Sequence, residues 1–280
     1  SLPDLGAPYI KARTMTSSLY GPLPQAFVKL QPNADFSIMV GKLPTLIGAE
    51  STFTYENMNI ERGLLWNQEP AVSRGVQVNY SHGPLAISAS LNDGYYSAKY
   101  NWVSGSIAYT INKENTLTLA GGGNLSHTSK SAFATPVTLN NGEVYNLILT
   151  HTAGPWIIQP YLQYTKVHQE TQLGIVHSAS TFGAALLAKY SFTPTISVTG
   201  RGEYISSTGS LANGAPSLLY GPGSKAWSAT LTPTYQKGIF FLRGELSHVG
   251  TWDITPGSAL GRNGLQKTQN RALVETGFIF

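Results

Sequence analysis

The sequence predicts an all-β fold, an antiparallel up-and-down β-barrel of about fourteen strands. First, only 11% of the 280 residues are charged and 41% are hydrophobic, whereas about a quarter of the residues in a soluble domain are charged. Second, long strands alternate apolar and polar residues. Third, short and long connections alternate along the chain. No apolar run approaches the roughly 18 residues of a membrane helix. These features are typical of a barrel that crosses a bacterial outer membrane with its strands.

Side-chain alternation assigns two faces to the strands. Around 156–165, Trp156, Pro160 and Tyr164 share one face, while Gln159 and Gln163 lie on the other. The segments 181–192 and 227–236 repeat this pattern over ten or more residues, the length of a tilted membrane strand. We expect the apolar face to meet lipid, with an aromatic girdle near the strand ends. The girdle residues are Trp156, Tyr164, Phe182, Tyr190, Trp227 and Tyr235.

The connections predict the two rims of the barrel. Short turns rich in Gly, Pro, Asn or Asp are predicted at 32–35, 81–84, 112–115, 153–155, 193–195 and 236–238. Long connections are predicted at 44–71, 127–143, 169–180, 206–225 and 252–270, with a brief one at 92–101. Short periplasmic turns and long extracellular loops are the arrangement of bacterial barrels. With strands at 9–17 and 24–31, the count reaches about fourteen in a single domain, residues 1–280.

Both ends of the chain are informative. The last ten residues alternate and place Phe278 and Phe280 on one face. We expect them to form the closing strand with its aromatic tip at the lipid interface, in a form that resembles the signal read by the barrel-insertion machinery. A closing strand of a soluble β-sandwich is the alternative. The first residues lack a charged and an apolar export region, so we expect any export signal to have been removed.

Charged strand residues are expected to face the interior. Arg-Gly-Glu occurs at 201–203 and again at 243–245, and a charge on the lipid face costs about 2–4 kcal/mol at the membrane midplane. Seven basic against three acidic positions imply a modest preference for anions; a ladder of Arg–Glu pairs that stiffens the wall is the structural alternative. The basic positions are Lys11, Arg13, Lys29, Lys189, Arg201, Arg243 and Arg271, and the acidic ones are Glu203, Glu245 and Glu275.

The connection at 44–71 is too long for a simple hairpin, and loops of that length are usually functional. It carries four glutamates against a single arginine. One hypothesis is a cap that packs on neighbouring loops or on another subunit. The other is a constriction loop folded into the lumen, with its carboxylates facing the basic wall. The candidate residues are Glu50, Tyr55, Glu56, Glu61, Arg62 and Trp66.

Three segments carry a resemblance to a known family. They are Q-A-F-V-K-L at 25–30, G-K-L-P-T-L-I-G-A-E at 41–50 and N-M-N-I-E-R-G-L-L-W-N-Q-E-P at 57–70. They resemble the OmpL-like β-barrel porin family over residues 24–96. The rest of the chain matches that family only in its regular alternation of strands and connections. Members of that family are often longer at the amino end, which makes sixteen strands the alternative count. The resemblance implies a channel without naming its solute.

The sequence therefore predicts a passive outer-membrane diffusion channel for small hydrophilic solutes, with weak anion preference. A barrel that anchors or sheathes a partner protein is the alternative; an outer-membrane enzyme is less favoured, because the six histidines lack metal-ligand spacing and no G-x-S-x-G motif occurs. We expect no cofactor, metal or nucleic acid. The expected partners are membrane lipid, lipopolysaccharide, the insertion machinery and small hydrophilic solutes. Assembly into a homo-oligomer such as a trimer is a further alternative.

Overall fold

The computed structural model describes residues 19–132 and 135–279, and in this part of the chain it shows thirteen strands in one sheet. Each strand pairs antiparallel with the next, in the order of the sequence. This confirms the predicted all-β up-and-down topology. The first strand predicted at 9–17 lies outside the described residues, so the described count is thirteen against about fourteen predicted. Within the described residues, β1 and β13 are each paired on one side only.

The strands from β2 onward are 8 to 13 residues long. The described helical segments are short: three 3-10 turns at Thr54–Glu56, Leu65–Gln68 and Thr171–Leu173, and α1 at Val137–Asn140. In the part of the chain that the structure describes, no helix is long and apolar enough to span a membrane. The strands are β1 Ala26–Leu30, β2 Phe36–Pro44, β3 Val72–His82, β4 Leu85–Asn92, β5 Trp102–Thr110, β6 Asn115–Asn124, β7 Gly142–Ala153, β8 Trp156–Val167, β9 Ala179–Ser191, β10 Ile196–Ser207, β11 Lys225–Lys237, β12 Phe240–Trp252 and β13 Thr268–Phe278.

Burial along the strands follows the predicted alternation. In β8, Leu162 and Tyr164 are exposed on the outer face, whereas Tyr161, Gln163 and Thr165 are buried on the inner face. The same pattern holds in β10 and β11. An exposed apolar outer face over strands of this length is the surface that a lipid-facing barrel wall presents.

Aromatic side chains meet near the strand ends, as the predicted girdle requires. The Trp156 and Tyr190 rings lie 4.6 Å apart, and Phe192 lies 4.8 Å from Tyr190. Phe240 and Phe278 lie 5.7 Å apart. These contacts join neighbouring strands near the short turns, where amphipathic or aromatic rings favour the membrane interface.

The short turns form one rim of the sheet, and the six connections at 45–71, 93–101, 125–141, 168–178, 208–224 and 253–267 form the other. We call these the short-turn rim and the long-loop rim. Gly83 and Gly154 hold positive φ angles of 57° and 54° in tight hairpins, a conformation that glycine adopts without steric cost. The predicted positions of both kinds of connection are confirmed.

The long loops also build apolar packing inside the sheet. Leu64 and Leu65 of the 45–71 loop pack in one buried cluster with Leu187 of β9, Ile205 of β10 and Tyr220 of the 208–224 loop. A second cluster brings together Ile47, Tyr95 and Trp102, among others. The interior near the long-loop rim is therefore packed with loop side chains, which alternation along the strands does not predict.

Candidate functional site

The loop at 45–71 lies against the inner face of seven consecutive strands, β7 to β13. At its start, Gly48 donates its N–H to Asn146 Oδ1 of β7 at 3.0 Å. Near its end, Gln163 Nε2 of β8 donates to the Leu65 carbonyl at 2.9 Å. The Thr181 hydroxyl of β9 donates to Gln68 Oε1 at 2.6 Å. Because these wall residues face inward, the loop lies inside the sheet rather than outside it.

Arg201 of β10 connects the wall to the loop through a buried guanidinium. Its Nη1 donates to Glu50 Oε1 at 2.6 Å and to the Glu61 carbonyl at 2.7 Å. Its Nε lies 3.2 Å from Glu203 Oε2 on the same strand. The Arg201 side chain is 0% exposed, and a buried charge is tolerated only when it is paired and hydrogen-bonded. The arginine that the sequence placed in the lumen therefore lies beneath the loop.

The Glu50 carboxyl depends on this pairing for its charge. Burial raises the pKa of Glu50 above its ordinary value, and the Arg201 guanidinium opposes that rise. The second carboxylate oxygen accepts the Gly63 N–H at 2.7 Å. Charge-assisted hydrogen bonds of this kind are stronger than neutral ones, so Glu50 joins two separate parts of the loop to one wall arginine.

Arg243 of β12 makes a similar attachment. Its Nη1 donates to the Asn57 carbonyl at 2.8 Å, and its Nη2 donates to the Thr54 carbonyl at 2.9 Å. Its Nε donates to Glu275 Oε2 of β13 at 2.9 Å, and Glu275 also accepts the Thr54 hydroxyl. The Arg243 side chain is 6% exposed. This arginine therefore holds the tip of the loop against the wall.

Acidic wall residues also fix the loop. Glu245 of β12 accepts the N–H groups of Ile60 at 2.5 Å and Glu61 at 3.1 Å, and it accepts the Thr232 hydroxyl at 2.8 Å. Arg271 of β13 donates to Glu61 Oε2 at 2.7 Å. The sequence suggested a ladder of Arg–Glu pairs along the wall. The structure contains two such wall pairs, Arg201–Glu203 and Arg243–Glu275, and the same arginines also bind the loop.

Gly63 lies directly over the Glu203 carboxylate. A Cβ added at position 63 would lie 2.0 Å from Glu203 Oε1. Glu203 cannot easily move away, because its other oxygen accepts the Ser228 hydroxyl at 2.6 Å and lies beside Arg201. The close approach of loop and wall therefore requires a glycine at this position.

A buried polar cluster that the sequence did not single out secures the end of the loop. Tyr161 of β8 donates its hydroxyl to Glu69, and Asn146 Nδ2 donates to Gln163 Oε1 at 3.0 Å. Asn59 Nδ2 in mid-loop donates to Thr232 Oγ1 at 2.7 Å. Strand parity predicts only that such amides and hydroxyls face the lumen, because the loop partners of Tyr161 and Thr232 are 92 and 173 residues away in the sequence.

The other loop candidates lie in two settings. Trp66 is buried, and the Arg62 guanidinium lies 5.2 Å from the centre of its ring. Arg62 also donates to the Thr52 carbonyl at 2.6 Å, which is a second contact within the loop. Tyr55 and Glu56 are exposed at the loop tip.

The remaining predicted lumen charges are divided between the described and undescribed parts of the chain. Lys189 of β9 is half-buried, Lys29 of β1 is exposed, and neither has a hydrogen-bond or ion-pair partner among the described residues. Lys11 and Arg13, together with the terminal Phe280, lie outside the described residues.

A cavity of about 210 Å³ lies beneath the loop tip, toward the short-turn rim. Glu56 of the loop and Lys189 and Arg243 of the wall line it, together with polar residues of β10 and β11. Its lining includes Glu56 and Lys189, neither of which has a hydrogen-bond or ion-pair partner among the described residues.

The charged residues of the inner face are unevenly distributed. Strands β2 to β8, all of them described, carry no charged residue on that face. Their inward side chains are mostly small and polar, and neighbours bond to one another: Asn79 donates to Ser37 at 3.2 Å, and Asn92 donates to Ser104 at 2.8 Å. The charges that face inward lie on β1, β9, β10, β12 and β13. The loop contacts the uncharged inner faces of β7 and β8 as well as charged residues of β10, β12 and β13.

Metal chemistry has no candidate site in the described part of the chain. No group of three or more His, Asp or Glu residues lies close enough together there to hold a metal ion. His82, His127 and His168 each lie 3.0–3.1 Å from a carboxylate near a rim of the sheet.

The profile of the family described as "Putative beta-barrel porin-2, OmpL-like" matches residues 4–280. The chain belongs to this family. The match extends the resemblance seen over residues 24–96 to nearly the whole chain. No curated protein sequence matches the chain.

Solved structures show the same fold at low sequence identity. OmpT of Vibrio cholerae, expressed in the outer membrane, is 12% identical with a TM-score of 0.59, over 80% of this chain and 69% of that one. The outer-membrane channel DcaP of Acinetobacter baumannii is 10% identical with a TM-score of 0.57, over 89% and 72% of the two chains. A trimer form of V. cholerae OmpT is 10% identical, also with a TM-score of 0.57, over 80% of this chain and 69% of that one.

The family and the fold together establish the class of the protein. It is a porin-like β-barrel of the bacterial outer membrane. Membership of a porin family agrees with a channel rather than an enzyme.

Proposed function

We propose that the protein is a passive diffusion channel for small hydrophilic solutes, built as a single domain, with the 45–71 loop as its constriction. The observation that carries this proposal is the attachment of the loop across the inner face of β7 to β13. A loop fixed inside a barrel narrows the lumen, and pore diameter and lining set selectivity among solutes.

The attachment is strong enough for the loop to act as a permanent part of the wall. Removing one partner of a buried ion pair typically costs about 3–5 kcal/mol, because the other charge stays buried without compensation. Arg201 and Arg243 each bind the loop from a buried position. The loop is therefore expected to narrow the channel at all times rather than to open and close in each passage.

We also propose a weak preference for anions, on a different basis from the count of basic residues. Arg201, Arg243 and Arg271 are paired with carboxylates, so their fields on a passing ion are largely cancelled. Lys29 and Lys189 of the inner face and Glu56 of the loop have no hydrogen-bond or ion-pair partner among the described residues. The two lysines lie on the wall of the lumen, and we base the weak anion preference on them.

Single-channel recording in planar bilayers tests this function. Purified protein is expected to give ohmic conductance steps, with reversal potentials in a salt gradient that favour anions by a small factor. Absence of any conductance above background in folded, heat-modifiable protein would refute the channel.

The alternative of a barrel that anchors a partner protein has one observation in its favour. Several apolar side chains on the long-loop rim are exposed, including Leu125, Leu211 and Leu265, which are 59–70% exposed. Exposed apolar clusters often mark interaction sites. Protein that inserts and folds but never conducts would favour this role.

For assembly, we propose contacts with membrane lipid and lipopolysaccharide on the outer face, recognition by the barrel-insertion machinery, and a homo-oligomer. The exposed apolar outer face supports the lipid contact. The trimer form recorded for V. cholerae OmpT supports testing a trimer. Native mass spectrometry of detergent-purified protein measures the oligomeric state directly.

A further inference from the structure

The cavity beneath the loop tip combines side chains from the loop and from the wall. The loop supplies Tyr55, Glu56 and Met58, and strands β9 and β12 supply Lys189 and Phe241, among others. Its volume is about 210 Å³, below the roughly 300–1,000 Å³ of pockets that hold drug-sized ligands. A ligand of this cavity would therefore be a small solute.

The two unpaired charges in the cavity have opposite sign. The Glu56 carboxylate and the Lys189 ammonium have no hydrogen-bond or ion-pair partner among the described residues. The third charged residue, Arg243, is already bound to Glu275 and to loop carbonyls. Of the charges around the cavity, only Glu56 and Lys189 are therefore available to a ligand.

An aromatic surface lies beside these charges. Tyr55 stacks on Phe53 with ring centres 5.6 Å apart and an angle of 12° between the planes, yet half of its surface remains exposed. Phe241 lines the cavity from the wall. Exposed aromatic surface in a water-filled space favours contact with the apolar part of a solute.

We propose that this cavity is a binding subsite for small zwitterionic solutes of the α-amino-acid class. The solute carboxylate binds Lys189, its ammonium group binds Glu56, and its side chain lies on Tyr55 and Phe241. A simple anion would meet Glu56 as a like charge, and a simple cation would meet Lys189. A neutral solute would leave both charges without a partner. The inference rests on the proposed function only in that the solute reaches the subsite through the lumen.

Three matched probes test the charge requirement. They are norleucine, which carries both charges, hexanoate, which carries only the carboxylate, and hexylammonium, which carries only the cation. Saturation-transfer NMR on the folded protein in detergent micelles measures binding without requiring conductance. Norleucine is expected to bind more tightly than either singly charged probe. Equal binding of all three, or no binding of norleucine, would overturn the subsite.

Variants locate the site. Lys189→Gln and Glu56→Gln are each expected to weaken norleucine binding by roughly twofold to fivefold, the range of partly exposed ion pairs. Lys29→Gln is the matched control, because Lys29 is also unpaired on the inner face but does not line the cavity. Loss of binding in the control that equals the loss in Lys189→Gln would overturn the assignment.

Reversing the charges at positions 56 and 189 tests which side chain binds which charged group of the solute. Glu56→Lys alone is expected to favour hexanoate, and Lys189→Glu alone to favour hexylammonium. The double exchange restores both signs and is expected to recover norleucine binding in the opposite orientation. Failure of recovery in the folded double variant would contradict the paired recognition.

The proposal of the subsite and the proposal of the channel can be refuted independently of each other. Norleucine binding without bilayer conductance would refute the channel and leave the subsite. Conductance without norleucine binding would refute the subsite and leave the channel.

Discussion

Arg201 and Glu50 form a buried ion pair across 151 residues of sequence, with Arg201 Nη1 2.6 Å from Glu50 Oε1. The pair joins the tenth strand to the loop that follows the second. It sits beside the Gly63 N–H and the Glu61 carbonyl, so one guanidinium and one carboxylate hold two separate parts of the same loop. The charges that the sequence assigned to ion selectivity thus serve loop attachment as well.

Replacing Arg201 and Arg243 by Gln is expected to release the loop. The sequence alone predicts a shift of the reversal potential toward cations while the barrel still inserts. Because both arginines also hold the loop, we expect two further effects. Conductance should rise and the loop should become accessible to protease, because Glu50 and Glu275 lose their partners. Bilayer recording and limited proteolysis measure both effects. Arg262→Gln in an exposed loop is the control, and unchanged conductance and protection in the double variant would refute the attachment.

Removal of the two unpaired inner lysines tests the anion preference. The double variant Lys29→Gln, Lys189→Gln is expected to shift the reversal potential toward cations, because it removes two positive charges of the inner face that form no ion pair among the described residues. Lys113→Gln, in an exposed short turn, should leave selectivity unchanged. An unchanged reversal potential in the double variant would show that the selectivity lies elsewhere.

Deletion of 52–64 tests the constriction. The cut ends lie near each other, since the Gly63 N–H bonds to Glu50, so Ser51 and Leu65 can be joined without stretching the wall. Conductance is expected to rise markedly, and discrimination among solutes by size is expected to flatten. The measurements are single-channel conductance and liposome swelling with sugars of increasing size. An unchanged size cutoff would identify the loop as a cap or an assembly element.

Gly63→Ala tests the close approach of loop and wall. The new Cβ would meet the Glu203 carboxylate, which Ser228 and Arg201 hold in place, and such overpacking typically costs about 1–3 kcal/mol. We expect a lower midpoint in urea unfolding, read by heat modifiability. Gly200→Ala is the control because no atom lies within 4 Å of its added Cβ. Equal midpoints for the two variants would contradict the packing.

The aromatic end of the chain is expected to govern insertion. Phe280→Ser should reduce folded protein in the outer membrane far more than Asn213→Ser in an exposed loop. The neighbouring Phe278 packs on Phe240 on the outer face, so Phe278→Ser should show a smaller loss of its own. Heat-modifiable protein in outer-membrane fractions is the measure, and wild-type levels after the Phe280 change would refute the expectation.

The sequence by itself determined which strands form the wall of the barrel and which face each side chain lies on. Alternation places Leu162 outward and Gln163 inward because lipid and water select opposite side chains at a period of two, and the turn residues separate the strands. The same parity placed Arg201, Glu203, Arg243 and Glu245 on the inner face. The length and acidity of the 44–71 loop marked it as the candidate site.

Only the tertiary structure decided which charges are neutralised and which are available. Strand parity gives the face of a side chain, but it does not say what covers that face. Glu50 and Arg201 meet because the connection after β2 crosses the inner face of the sheet as far as β10, a contact that no local pattern encodes. Lys189 remains unpaired for the same reason: the loop crosses the wall beside it and presents Glu56 to the cavity instead of to the lysine.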